Sequence, residues 1–222
     1  MNIEAGNIIE RYKNRENEDF LDPYIFMILQ ERERALLSLL KKLNKNISEL
    51  KILEIGSGFG INILKFIEYG FTPENITGIE LLEKRVESST KLLPKEVTLI
   101  KGDALEYNFK EKYDLIFLFG VYSSILDEEF QKKLTDKIEN LLTDDGGIVW
   151  YDFTYDNPRN KGVRGIKLSK IKSLFRGKIL FCNRITLAPP ISRRIVKINP
   201  SLYNIFNLLP FLRTHLLCFI KK

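Results

Sequence analysis

The chain has 222 residues, 44% of them apolar, and a formal net charge of +6, which is enough for one domain with a full core and excludes a disordered protein. No apolar run approaches the ~18–20 residues of a membrane-spanning helix, and the charged start MNIEAGNIIERYKNRENEDF lacks a signal-peptide core. Two cysteines, Cys182 and Cys218, without a Cys-x-x-Cys pair, and one histidine, His215, argue against a disulfide framework, a zinc site or any multi-histidine metal site, and fit a reducing cytoplasm.

In chain order, PYIFMILQERERALLSLLKKLN (23–44) predicts a helix: Pro23 suits a first turn, and Ile28, Ala35, Leu36, Leu39, Leu40 and Leu43 recur at helical spacing. LKILEIG (50–56) reads as a short strand and INILKFIEYG (61–70) as a helix stopped by Gly70. ITGIE is a second strand, LEKRVESSTKLL a helix ended by Pro94, and VTLIKGD a third strand. YDLIFLFG (113–120) is apolar on both faces, as expected of a central strand in a parallel sheet. DEEFQKKLTDKIENLL predicts a helix capped by Asp127, and GGIVWYDF a fifth strand after an Asp144–Gly147 turn. This alternation favours a doubly wound α/β fold with right-handed crossovers.

The last third differs in charge. Residues 159–222 carry 15 Lys+Arg and no Asp or Glu, leaving 20 basic and 29 acidic residues, net −9, elsewhere. An ordinary solvated surface mixes both signs, so this region is expected to meet something anionic: a phosphorylated substrate, a nucleic acid or a membrane surface. Compositional bias is the alternative. Its elements read as a helix at IKLSKIKSLF, a strand at KILFCNRITL, an apolar helical piece at LYNIFNLLPFL and a final strand at HLLCFIKK. LYNIFNLLPFL is expected to pack in the core rather than anchor to a membrane.

In an open α/β sheet, ligands bind where the carboxyl ends of strands meet the following loops. EIGSGFG lies there, and Gly56, Gly58 and Gly60 let the chain turn tightly against a ligand. Packing glycines are the alternative. Glu80 ends the second strand, 20 residues beyond Gly60, where a carboxylate can accept both hydroxyls of a ribose. Asp103 ends the third, where a carboxylate can accept from an exocyclic amine. A third glycine at the dinucleotide spacing is missing, which argues against NAD.

LEIGSGFG, GIELLEKRV, KGDALEY and LLTDDGGIVWYDF, in that order, resemble the signature segments of class I S-adenosylmethionine-dependent methyltransferases, over residues 50–153. The resemblance implies a Rossmann-like fold: a seven-stranded, mostly parallel sheet with an antiparallel last strand, and an N-terminal helical extension. With no internal repeat and no flexible linker, one domain is expected over 1–222, and the resemblance divides it into a helical cap (1–48), a cofactor-binding half (49–153) and a substrate-facing half (154–222) carrying an insertion at 188–214. The resemblance implies S-adenosylmethionine as cofactor. Glu54 and the Gly56–Ser57–Gly58–Gly60 loop would hold its methionine half, Glu80 its ribose, and Leu81 the adenine face. Asp103 and Ala104 would read the adenine edge, and Phe119 and Gly120 would border the sulfonium. Related enzymes fold a lid over the cofactor where Tyr12 and Arg15 stand, before the first expected helix.

The acceptor is harder to read. FGVYSSI replaces the Asn/Asp-Pro-Pro-aromatic segment of nucleic-acid amino-methyltransferases, and Asp152 and Asp156 make only an incomplete carboxylate set for a catechol-type metal site. WYDFTYDNPRNKGVRGIKLSKIKSLF, RITLAPPISRRI and LPFLRTHLLCFIKK, which make up most of residues 147–222, together resemble a methyltransferase branch found in bacterial cell-surface polysaccharide gene clusters, which implies a glycan or an activated sugar precursor as acceptor. In that topology the start of the last strand, the loop 154–165 and the insertion 188–214 share one edge. Arg159, Lys161, Arg164, Arg193, Arg194 and Arg213, with Asn157, would then gather at one mouth suited to phosphate. His215 is the candidate general base, with a histidine satisfied within the strand as the alternative. Tyr151 and Asp152 are expected to orient the acceptor hydroxyl, or Asp152 to orient His215. A cytoplasmic enzyme with contact to the inner membrane surface is expected. An RNA methyltransferase using the basic third, another small-molecule methyltransferase, and a membrane-surface binder with an inert cofactor fold are the competing readings.

Overall fold

A computed structural model describes residues 2–15, 19–158 and 160–222. Fifteen strands and α-helices form, those from β1 to β5 in the predicted order: α1 (Ile3–Tyr12), α2 (Pro23–Leu43), β1 (Ile52–Ile55), α3 (Ile61–Glu68), β2 (Ile76–Glu80), α4 (Glu83–Leu92), β3 (Thr98–Lys101), β4 (Tyr113–Phe119), α5 (Glu128–Leu141), β5 (Leu142–Phe153), α6 (Leu168–Leu174), β6 (Lys178–Leu187), α7 (Pro189–Ile198), α8 (Ser201–Asn207) and β7 (Arg213–Lys221). The helix starts obey local chemistry. Asp22 accepts the Tyr24 N–H ahead of Pro23 at α2, and Asp127 accepts the Phe130 N–H at α5.

The seven strands form one sheet in the order β3-β2-β1-β4-β5-β7-β6. β1 to β5 run parallel, and β7 runs antiparallel between β5 and β6. This is the Rossmann-like arrangement of class I methyltransferases. The pleat explains the two cores. Leu53, Ile55, Ile116, Leu118 and Trp150 face one helical layer with Phe130 and Ile138. Ile52, Leu115, Phe117 and Val149 face the other, with Leu39 and Phe66. Both faces of the central strands are therefore apolar, and helices cover each. The strand order reverses beside β1, so a crevice opens at the carboxyl ends of β1 and β4.

Several expectations change. A helix, α1, precedes the helix expected to be first, so Tyr12 ends a helix rather than standing in a leading loop. β5 begins at Leu142, and the Asp144–Gly147 turn is an irregularity within it: Tyr113 pairs with Leu142, but Leu115 already pairs with Gly147. The insertion holds two helices, α7 and α8, where one piece was predicted. Cys182 and Cys218, expected to be unpaired, are joined as a disulfide. They lie 36 residues apart in sequence, and only the antiparallel β6–β7 register sets them opposite each other.

Candidate active site

The carboxyl ends of β1, β2, β4 and β5 and the opening of β7 line one cavity of about 1230 Å3. Its floor begins at the glycine loop. Gly56 and Gly58 sit at φ +71° and +56°, in the left-handed region where a Cβ is strained. Gly60 is also left-handed, but a Cβ there would stand 2.9 Å from Leu93, so it serves the packing of α3 against α4. The Ser57 side chain turns inward, where a Cβ on Gly78 would press on it. Of this loop, Gly56 and Phe59 line the cavity.

Glu80 ties the loop to the next turn. Its Oε2 accepts the Gly58 N–H at 2.9 Å and its Oε1 accepts the Leu82 N–H at 3.0 Å. A carboxylate offers about four lone-pair sites, so two bonds leave room for hydroxyl donors. Asp103 accepts the Leu105 N–H on Oδ1, while its buried Oδ2 has no hydrogen-bond partner among the described residues. Burial pushes its pKa up, against the pull of that hydrogen bond. A buried acceptor without a donor costs about 1–3 kcal/mol, and an amine edge presented here would remove that cost. Leu81 and Ala104 line the wall between Glu80 and Asp103.

At the other end, a chain of polar groups runs out from β1. Glu54 is buried, and burial pushes its carboxyl up to about 8. The Asn62 amide donates to it at 2.6 Å, and Arg32 donates to Asn62 Oδ1 at 2.7 Å. The Arg32 guanidinium stands 5.3 Å from the Phe119 ring and 5.5 Å from the Tyr151 ring. Arg32, Asn62, Phe119 and Gly120 all line the cavity, while Glu54 lies behind them. A carboxylate on a ligand at this end would meet Arg32 directly.

α1 straps across the loop that follows β4. Glu4 accepts the Leu126 N–H, Arg11 donates to Ser124 O at 2.7 Å, and the Tyr12 and Ser124 hydroxyls lie 2.6 Å apart. Tyr12 and Arg15 line the cavity, and Arg85 stands over both the Tyr12 and Phe59 rings.

Tyr151 and His215 come together, their rings stacked at 5.0 Å and 15°. The Tyr151 hydroxyl meets Thr186 Oγ1 at 2.8 Å. Thr186 itself sits at φ +66°, a strained conformation for a β-branched residue. Asp152 does not join them. Side chains alternate across a strand, so Asp152 points to the face opposite Tyr151, and it lies outside the cavity lining. It accepts the Ser123 and Phe153 N–H groups, both at 2.9 Å, and burial pushes it up to about 7. Asp152 therefore orients neither His215 nor an acceptor; it holds the loop after β4. Asp152→Ala should lower stability by about 2–3 kcal/mol, because buried N–H groups lose their acceptor. The midpoint of urea unfolding should fall with an unchanged slope; an unchanged midpoint would rule this role out.

The expected ring of cations is only partly assembled. Arg193, Arg194 and Asn157 line the mouth. Arg164 is 3.8 Å from Glu128 on another surface, and Lys161 lies outside the cavity lining. Arg213 turns its guanidinium onto the carbonyls of Asn207 and Arg184. Arg159 falls outside the described residues. Arg15, named above for a lid, lines the cavity too, as does Arg85 from the segment GIELLEKRV, while Arg32 is a cation that no local motif announced.

Comparison with known proteins fits this geometry. Residues 52–146 match the family model described as a methyltransferase domain. An uncharacterized protein of Rickettsia prowazekii is 32% identical over 101 residues, 43% of this chain and 40% of that protein; the match thus spans well under half of that relative's length. Among solved structures, the N-methyltransferase NodS of Bradyrhizobium japonicum with S-adenosyl-L-homocysteine superposes at TM-score 0.68, with 15% identity over 100% of this chain and 99% of that chain. The magnesium protoporphyrin IX methyltransferase of Synechocystis with bound S-adenosylmethionine gives 0.66, at 12% identity and coverages of 100% and 99%. An S-adenosylmethionine-dependent methyltransferase from Mesorhizobium loti gives 0.64, at 15% identity and coverages of 85% and 98%.

Proposed function

We propose that this chain, which carries a methyltransferase domain at residues 52–146 in a class I methyltransferase fold, methylates a hydroxyl of a phosphate-bearing glycan or activated sugar precursor. S-adenosylmethionine is the cofactor, and it supplies a methyl group on an already activated sulfonium. The chain's own residues fit it. The partnerless Asp103 Oδ2 suits the adenine amine, Glu80 the ribose hydroxyls, and Arg32 the carboxylate at the methionine end.

The protein's work is then alignment and proton removal. Thr214 Oγ1 donates to the Thr186 carbonyl, so its oxygen accepts from His215 Nδ1 at 3.0 Å. That tautomer leaves Nε2 with a lone pair. Burial and the Arg32 charge push His215 down to about 4, which keeps the imidazole neutral and able to accept a hydroxyl proton. The observation that supports the acceptor class is the pair Arg193 and Arg194, exposed on α7 at the mouth of the cavity whose floor holds His215. Guanidinium groups at that position suit a phosphate held away from the reacting hydroxyl.

The test is a mass-shift assay with S-adenosylmethionine on nucleotide-linked sugars, phosphorylated glycans and RNA. Gain of one methyl group on a sugar substrate is expected. Arg193→Ala and Arg194→Ala should each raise the acceptor KM about tenfold, the scale of a charge-assisted contact, with cofactor affinity unchanged. Methylation of RNA alone, or an unchanged KM, would overturn the acceptor class.

A further inference from the structure

The insertion between β6 and β7 was expected to bury its apolar residues, and it does the reverse. Tyr203 is fully buried, but Ile198, Ile205, Phe206, Leu208, Leu209 and Phe211 are all exposed, Ile198 by 79% and Leu208 and Phe211 by 73% each. This is not an unsatisfied face awaiting the chain's own core. The inner side of the segment is already filled: Tyr203 and Val196 pack with Met27 and Leu187. Tyr203 donates to Glu31 at 2.6 Å, the Asn207 amide donates to the same carboxylate at 2.7 Å, and Arg213 holds the Asn207 carbonyl. The segment is pinned from within and shows six large apolar side chains outward. A patch of that kind marks an interaction site.

Charge narrows the partner. α7 bears exposed Arg193, Arg194 and Lys197, and residues 159–222 contain no Asp or Glu. The carboxylate that the segment does engage, Glu31, is buried behind Tyr203 and Asn207. A second copy is disfavoured, because self-pairing would set these cations against themselves with no acid in the segment to match them. Single-stranded RNA binds on stacked aromatic rings, whereas this patch is mostly aliphatic. Exposed Leu, Ile and Phe beside Lys and Arg suit the headgroup–acyl boundary of an anionic bilayer.

We infer that the surface formed by residues 198–211, flanked by Arg193, Arg194 and Lys197, docks the protein onto an anionic lipid bilayer. No helix among the described residues is long and apolar enough to cross a membrane, so the attachment is peripheral and reversible. α7 carries both the flanking cations and the arginines of the cavity mouth. Docking therefore turns the active-site opening toward the lipid surface.

The experiment is co-sedimentation of the full chain with vesicles of phosphatidylglycerol and phosphatidylcholine, against phosphatidylcholine alone. Binding to the anionic vesicles, weakened at high salt, is expected. Leu208→Ser/Phe211→Ser should reduce partitioning about tenfold or more, the scale set by the apolar area withdrawn from the bilayer, with S-adenosylhomocysteine affinity unchanged. Should that variant lose cofactor binding through misfolding, Lys197→Glu supplies the second readout and should also weaken sedimentation. Absence of vesicle binding by the native chain, equal binding to neutral vesicles, or partitioning insensitive to every variant would overturn the inference. So would a native dimer that the serine variant dissolves, which would mark a self-association face. The vesicles contain no acceptor, so this result is independent of which substrate is methylated.

Discussion

Glu80→Ala should weaken S-adenosylmethionine binding by about two orders of magnitude, as read by calorimetric titration. Two losses follow. The first is internal: the N–H groups of Gly58 and Leu82 both donate to Glu80. Losing a buried charged acceptor costs about 1–3 kcal/mol per stranded donor, and the glycine loop loosens before any ligand arrives. The second is the pair of hydroxyl contacts expected from the ribose. The internal loss is common to the free and bound protein and reaches binding only through the loosened loop, so the ribose contacts, at about 2–3 kcal/mol, set the stated loss at 1.4 kcal/mol per factor of ten. Glu80→Gln separates the parts. The Gly58 and Leu82 N–H groups bond to different oxygens of Glu80, and glutamine keeps only one of those oxygens, so its affinity should fall between native and alanine. A protein that keeps native affinity as Glu80→Ala would not bind the cofactor through this loop.

The parts of this site that could be read from sequence are those fixed by neighbours in the chain. Glycines after a strand, an acid ending the next strand and an acid ending the third lie at set spacings, because each crossover has a set length. Gly56, Glu80 and Asp103 therefore sit around the cavity as their spacing predicts. The same spacing could not tell which glycine serves the ligand. Gly60 belongs to helix packing, since a Cβ there would meet Leu93 and Ser89, residues far from it in sequence. Arg32 is the opposite case. It lies inside a helix that reads as ordinary amphipathic sequence, and its place at the cavity depends on Asn62 and Glu54, 30 and 22 residues away. The failure at Asp152 is one of parity. Strand ends are legible to within a residue or two, but a one-residue difference sends a side chain through the sheet.

The basic third shows a different limit. Its lack of acids is plain in the sequence, and that bias, together with the expected topology, suggested a ring of six cations. The structure separates them, because Arg164 and Arg213 have local partners that outweigh a distant mouth. An apolar segment likewise reads as core by composition, while α8 already satisfies its inner face with Tyr203. Charge and hydropathy fix what a surface can meet. The partners available within the fold decide which residues remain on that surface.

His215→Ala should lower turnover at least about 100-fold, the low end of what a positioned proton acceptor contributes, with cofactor affinity unchanged. The ring is held by Tyr151 stacking and by the Thr214 hydroxyl, so its orientation precedes substrate binding. His215→Gln keeps polar contact without a basic nitrogen and should remain as slow as alanine. Recovery of turnover in the glutamine variant would reduce His215 to a positioning residue. The pH dependence gives a second test. With the folded-state pKa at about 4 against an ordinary value near 6.5, the unfolded chain binds the extra proton between those limits. Stability from this group is therefore complete above pH 6.5 and is lost as pH falls through 4. The shift corresponds to at most roughly 3 kcal/mol, and the slope should vanish in His215→Ala. Turnover by the native enzyme should accordingly show no acid limb near pH 6.5, because the imidazole is already neutral there. A limb at that pH, removed by His215→Ala, would place the imidazole in solvent and not under the Arg32 charge.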